Sequence, residues 1–182
     1  MTAGSPTSRA HGLSDEFLIE LGDVMVSFAL LEHEMRNLAA KLIGVDDGIT
    51  SIVTNQLTFA DLRDSLGSLW RERGELRVSE MALKELLKRA EAVEAERNRI
   101  VHSIWALSEK TGNPVRIKVR VRKKGRDVQV EDYDAERLRG FAQSLQLLAY
   151  DFSQFDPGPL WEVILLPYPR LNRVSDWKPV PE

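Results

Sequence analysis

Within the stretch EAERNRIVHSIW, residues 94–105, a guanidinium, a carboxamide and an imidazole stand close together as Arg97, Asn98 and His102. An imidazole exchanges protons near neutral pH, a guanidinium grips a phosphate through paired N–H bonds, and an amide can orient either. On a helix each residue advances by about 100°. Asn98 and His102, four apart, therefore stack on one face, while Arg97 and His102 lie roughly 140° apart. The series Leu83, Leu86, Ala90, Val93, Arg97, Ile100, Ile104 and Leu107 steps by three and four throughout, so Arg97 stands where the period asks for an apolar side chain. A guanidinium inside such a seam must be paired or open to water, because burying a lone charge costs several kcal/mol. Breaks of this kind tend to mark functional or strained sites.

The elements that must position these residues follow from periodicity and caps. Ser14 can cap a helix opening with Asp15 and Glu16 and ending at Gly44. Inside it, Phe17, Leu21, Val24, Phe28, Leu31, Met35, Leu38 and Leu42 form a heptad-like seam. A short helical possibility lies around Ile49–Val53. Thr58 and Asp61 look like a capping pair for a medium helix with Phe59, Leu62, Leu66 and Leu69, stopping near Gly74; Ser79 introduces the long helix that carries the motif. After Gly112 the period falls to two. Val115, Ile117, Val119 and Val121 alternate with Arg116, Lys118, Arg120 and Arg122, a half-buried strand that turns at Lys124-Gly125 and returns through Val128 and Val130. Asp134 can cap a last helix with Leu138, Phe141, Leu145, Leu148 and Phe152.

The expected fold is mainly α: a bundle of about four to five helices, two of them long, over residues 13–156, with a β-hairpin inserted at about 115–132. Residues 1–12 are expected to be disordered, and the proline-rich tail 157–182 to pack irregularly on the bundle.

Composition narrows the functions. The net charge of −3 argues against wholesale attraction to nucleic acid or membrane, so a basic footprint must be local. The absence of cysteine excludes disulfides and thiolate zinc sites, and three histidines (His11, His33, His102) are too few for a multi-histidine metal centre. Runs such as VMVSFALL and WEVILLP fall short of the ~18 residues of a membrane span, and the first residues lack a signal-peptide core. The chain reads as a cytoplasmic protein that needs no metal or other cofactor. Glycine-rich phosphate loops, nucleophile elbows and paired metal-binding histidines are not found.

Arg97-Asn98 followed by His102, with four residues between the Arg and the His, resembles the motif of the HEPN superfamily, the higher eukaryotes and prokaryotes nucleotide-binding domains. Leu31, Glu32 and Arg36, and the phrase RNRIVHS, are similar to residues of uncharacterised bacterial members. The resemblance spans roughly residues 14–155, and the hairpin is an addition to the minimal bundle. It implies a metal-independent endoribonuclease of the toxin or defence type, with Arg97, Asn98 and His102 as catalytic residues; Glu32 as a partner for Arg97, and Ser103 and Trp105 beside His102, read from the residues themselves as site support. One chain offers a single site histidine, so the resemblance further implies a homodimer acting on RNA at a shared groove, with an antitoxin or other protein partner.

Other readings of the same residues stay open. Arg97 can pair with Glu32 or Glu34 as an internal salt bridge, and His102 can be a core histidine bonded to a backbone carbonyl or to Ser103. The chain is then a non-catalytic interaction or nucleotide-binding module with a structural Arg/His pair. Arg116, Lys118, Arg120 and Arg122 share one face of the strand. They can follow an RNA backbone, or serve as the wet side of a hairpin that discourages edge-to-edge aggregation.

Overall fold

The computed structural model describes residues 12–44, 47–73, 77–122 and 125–155; the expected tail, and the first segment apart from Gly12, lie outside them. Helix α1 (Asp15–Ile43) begins where the Ser14 hydroxyl accepts from the Phe17 N–H at 3.2 Å. It ends where Gly44, at φ 69°, returns its own N–H to the Ala40 carbonyl. The segment too brief to decide from periodicity is α2 (Asp47–Thr54). Helix α3 (Phe59–Arg73) opens on a reciprocal box: Thr58 Oγ1 accepts from the Asp61 N–H at 3.2 Å, and Asp61 Oδ2 accepts from the Thr58 N–H at 3.3 Å. Helix α4 (Arg77–Val101) carries the motif, and α5 (Ala135–Gln154) is capped by the Asp134 carboxylate on the Arg137 N–H at 2.8 Å.

Helices α1 and α5 form the most extensive interface and run in the same direction, since Arg139 reaches Glu16 and Glu20 while Gln146 reaches Ser27. Helix α4 runs against α5, since Arg89 meets Asp151 near the end of α5 while Glu96, later in α4, meets Tyr133 just before its start. Phe17, Leu31, Met35 and Leu42 of α1 close the core with Leu62 and Leu66 of α3, Leu83 and Ile100 of α4, and Leu138, Leu145 and Phe152 of α5. Burial of these stripes stabilises the bundle far more than helix propensity does.

The inserted β element has three strands rather than two. Strands β1 (Ile104–Leu107), β2 (Pro114–Arg122) and β3 (Gly125–Asp132) form an antiparallel sheet in that order. Ile104 and Leu107 continue the α4 period in the sequence, yet the helix stops at Val101. Trp105 Nε1 donates to the Ile100 carbonyl at 3.1 Å, tying off the helix end, and residues 104–107 pair with residues 114–117. Four residues are too few for a three-or-four step to be told from a strand.

Val115 at the base of the sheet is buried, as the alternation predicts, but further out the sheet presents its faces the other way round. Trp105, Arg116 and Glu131 lie in one register row and face the helices, where Trp105 meets Phe17 edge-on at 5.1 Å and Tyr133 at 5.5 Å. Val119, Val128 and Val130 face solvent. The aromatic residues supply the apolar contact that these outer valines were expected to make, and the Arg116 charge is absorbed inside, as described below.

Replacing fully buried Leu31 by Ala is expected to lower unfolding free energy by about 2–5 kcal/mol in urea titration. Ile52→Ala on the exposed side of α2 should change it by no more than about 0.5 kcal/mol. Equal losses at the two positions would contradict this placement of the core.

Candidate functional site

Arg97 is half-buried in the last turns of α4, and its guanidinium folds onto its neighbour, Nη1 donating to Asn98 Oδ1 at 3.0 Å. Its Cζ lies 4.8 Å from the centre of the Phe28 ring, which in turn packs on Phe59 at 4.7 Å. The guanidinium Nε is buried and has no hydrogen-bond partner. Asn98 is half-buried, and His102, one turn on, is exposed at the helix end, where its backbone N–H closes onto the Asn98 carbonyl at 3.1 Å. Arg97 and Asn98 are thus joined over an aromatic ring from α1, and His102 follows one turn on at the exposed end of the helix.

The carboxylates that could neutralise Arg97 are engaged by other groups, three of the four by cations. Glu32 takes Arg36 at 2.7 Å, Glu34 accepts from the Asn37 amide at 3.2 Å, and Glu94 takes Arg63 of α3 at 3.3 Å. Glu96, adjacent in sequence, is bound to Arg99 at 3.1 Å and Arg116 at 3.3 Å. Arg97 is left with an amide and a ring face, contacts that compensate a buried charge only in part. The sequence alternative of an Arg97 pair with Glu32 or Glu34 is not the arrangement found. Ser103 turns its hydroxyl to the Arg99 carbonyl. Trp105 is held between Phe17 and Tyr133, so both fasten the end of α4 rather than reach toward Arg97.

The basic strand divides. Arg116 is nearly buried and belongs to a network that joins β2 to α4 and α5: Nη1 bonds Glu96, Nη2 bonds Glu131, and the guanidinium lies over Tyr133. Tyr133 donates its hydroxyl to Glu96 at 3.2 Å, and Arg137 reaches Glu131 at 2.6 Å while stacking 4.0 Å from the Tyr133 ring centre. The hydrogen bond from Arg137, joined by Arg116, holds the Glu131 carboxyl below its ordinary value against a partial desolvation cost. Burial and the neighbouring Glu96 charge push the Tyr133 hydroxyl up to about 12. Lys118 is half-buried opposite Gln129, and Arg120 and Arg122 take their places in β2 opposite Asp127 and Gly125.

Sequence reasoning missed Phe28 as the floor beneath Arg97, and Glu96, Tyr133 and Arg137 as partners of Arg116. The Lys124-Gly125 turn read from the sequence would set Lys118 across from Glu131; the register found pairs Arg122 with Gly125, shifting the strands so that Arg116 stands opposite Glu131 as an opposite-charge pair. The contacts of Glu96 and Phe28 with other elements leave no local trace.

The motif lies outside the open cleft of about 600 Å³ between α1, α2 and α3, which has Ala39, Ile43, Leu57 and Leu69 among its apolar lining. Among the described residues no helix is long and apolar enough to cross a membrane, and no three His, Asp or Glu side chains are grouped as metal ligands. Comparison with family models, curated proteins and solved structures returns no match.

The lowered Glu131 carboxyl fixes the sign of an acid dependence. Its stabilisation is present above its ordinary value of 4.5 and is lost as pH falls through its lower folded value. Melting temperature should therefore drop less steeply on acidification for Glu131→Gln than for the parent, as calorimetry between about pH 3 and about pH 6 would read. For Tyr133, raised to about 12, the neutral form is the stabilised one, so the parent should lose stability above its ordinary 10.0 and Tyr133→Phe should not show that loss. Parallel curves in both comparisons would show the network to be without energetic weight.

Proposed function

We propose that the chain is a metal-independent endoribonuclease of the HEPN type, working in the cytoplasm as a homodimer and serving as a toxin or defence component, with an antitoxin or similar protein as its restraint. The supporting observation is Arg97: a half-buried guanidinium with no carboxylate partner among the described residues, bonded to Asn98 and next to the exposed His102 turn. A guanidinium without a carboxylate to neutralise it is well suited to a phosphate, whose oxygens its N–H groups can hold in pairs.

In the reaction, the ribose 2′-oxygen attacks the adjacent phosphorus and the bond to the 5′-oxygen breaks. The products are a 2′,3′-cyclic phosphate and a free 5′-hydroxyl. A proton leaves the 2′-hydroxyl and another must reach the departing 5′-oxygen. His102 can perform either transfer, and in a dimer the second copy's imidazole performs the other. Arg97 holds the non-bridging oxygens as charge gathers on them, and Asn98 keeps the guanidinium in place. A non-catalytic module would need Arg97 for structure, and its contacts give little support to that reading. Lys118, Arg120 and Arg122 can add sequence-independent attraction for the RNA backbone, whereas Arg116, already neutralised, contributes least.

Mixed RNA incubated with the parent in excess chelator should yield fragments ending in cyclic phosphate. His102→Ala should lower the rate by about 10²–10⁴ and Arg97→Ala by about 10²–10³, with melting temperature followed for each variant. A parent that cuts nothing, or variants that are folded and cut at the parental rate, would sink the proposal.

A further inference from the structure

The open cleft between α1, α2 and α3 combines an apolar lining with a row of acids. Ile43 at the end of α1, Val53 of α2, Leu57 just after it and Leu69 of α3 supply the apolar part. The polar part belongs to α3. Asp61, Asp64, Ser68 and Glu72 line the cleft at steps of three, four and four, so they follow one face of that helix over about 16 Å. Among the described residues no lysine or arginine lines it. Asp61 accepts from the Thr58 N–H and hydroxyl, which leaves its charge in place. Asp64 takes Arg63 at 3.2 Å but stays largely exposed, and Arg63 is shared with Glu94. Arg71 meets the Ser68 hydroxyl at 3.1 Å from the other side, where α3 faces α4. Glu72 is exposed and has no ion pair among the described residues. On the lip, Ile52 is 74% and Val53 55% exposed, so apolar surface continues past the hollow along α2.

We propose that this cleft takes an amphipathic helix of a protein partner, apolar on one face and carrying lysine or arginine along its edge. Carboxylates spread over about 16 Å cannot all meet one small cation. About three turns of helix can place basic side chains at the same spacing, with apolar ones at i, i+3 or i+4 and i+7 set against Ile43, Val53, Leu57 and Leu69. The row of acids repels an acidic helix of the same shape, so the charges select the partner as well as attract it. Equating this partner with the antitoxin proposed above rests on the nuclease reading; the docking itself does not.

The probe is a synthetic helix of about fourteen residues, with leucine at those apolar positions and lysine on both flanks, titrated into the full chain by fluorescence anisotropy while amide NMR locates the contact. It should bind and move the signals of Val53, Ser68 and Glu72, and the same peptide with glutamate for lysine should not bind. Val53→Lys and Glu72→Lys should each weaken binding by at least about tenfold at unchanged melting temperature. Glu85→Lys, the same charge change at an exposed position of α4, should leave it as it was. No binding, equal binding of the glutamate peptide, unweakened cleft variants or an equal loss in Glu85→Lys would each overturn the proposal. So would two results that assign the cleft to the chain itself: Val53→Lys turning a dimer into a monomer in sedimentation, or a peptide that binds only once Ile164 and Leu165 are exchanged for serine. RNA cleavage by the same samples separates this docking from the nuclease. Binding without cleavage removes the nuclease and leaves the cleft, while cleavage without binding does the reverse.

Discussion

The carboxylate of Glu96 holds together what matters in this molecule. From the last turns of α4 it accepts a bond from Arg116 of β2, another from Tyr133 at the start of α5's approach, and a third from Arg99 of its own helix. Charged hydrogen bonds at a half-buried position are directional as well as strong, and this carboxylate is satisfied several times over. Two consequences follow from one side chain. The sheet is drawn onto the bundle through Arg116, with Val119, Val128 and Val130 left facing outward. The acid nearest Arg97 in the sequence is also turned toward the sheet, away from its neighbour.

The site depends on that allocation. A bundle rich in glutamate would ordinarily quench a seam arginine with the nearest carboxylate, and each candidate here is bound elsewhere: Glu32 along α1, Glu94 across to α3, Glu96 to the sheet. What remains for Arg97 is a ring face and an amide, with one N–H unused. Such a group carries a desolvation cost that a bound anion would relieve, so the local instability and the proposed chemistry are two aspects of one arrangement. The outward valines are the same allocation seen from the other side of the sheet.

Much of the fold was legible because its signals are local. The α1 seam, its Ser14 and Gly44 ends, the Thr58–Asp61 box, the Asp134 cap and the alternating β2 strand each depend on residues a few positions apart. Three features were not legible, each for a physical reason. Alternation separates two faces of a strand without saying which one turns inward, and here Trp105 and Tyr133 decided it from outside the strand. Ile104 fitted a helical step as well as a strand, and its pairing with Ile117 lies thirteen residues along the chain. The motif residues could be named from type and spacing, but Arg97's freedom from carboxylates depends on Glu94 and Glu96 being taken by Arg63 of α3 and Arg116 of β2, pairings that no local window contains.

Nitrogen-detected NMR of the arginine side chains reads that freedom directly, using a short RNA whose 2′-hydroxyls are methylated so that it binds without being cut. We expect the Arg97 Nε–H signal to move and to exchange more slowly with water as this RNA is added, together with the His102 ring signals, while Arg116 stays fixed in its carboxylates. Movement confined to the hairpin arginines, with Arg97 and His102 unchanged at saturation, would contradict the claim that the seam guanidinium is held ready for a phosphate.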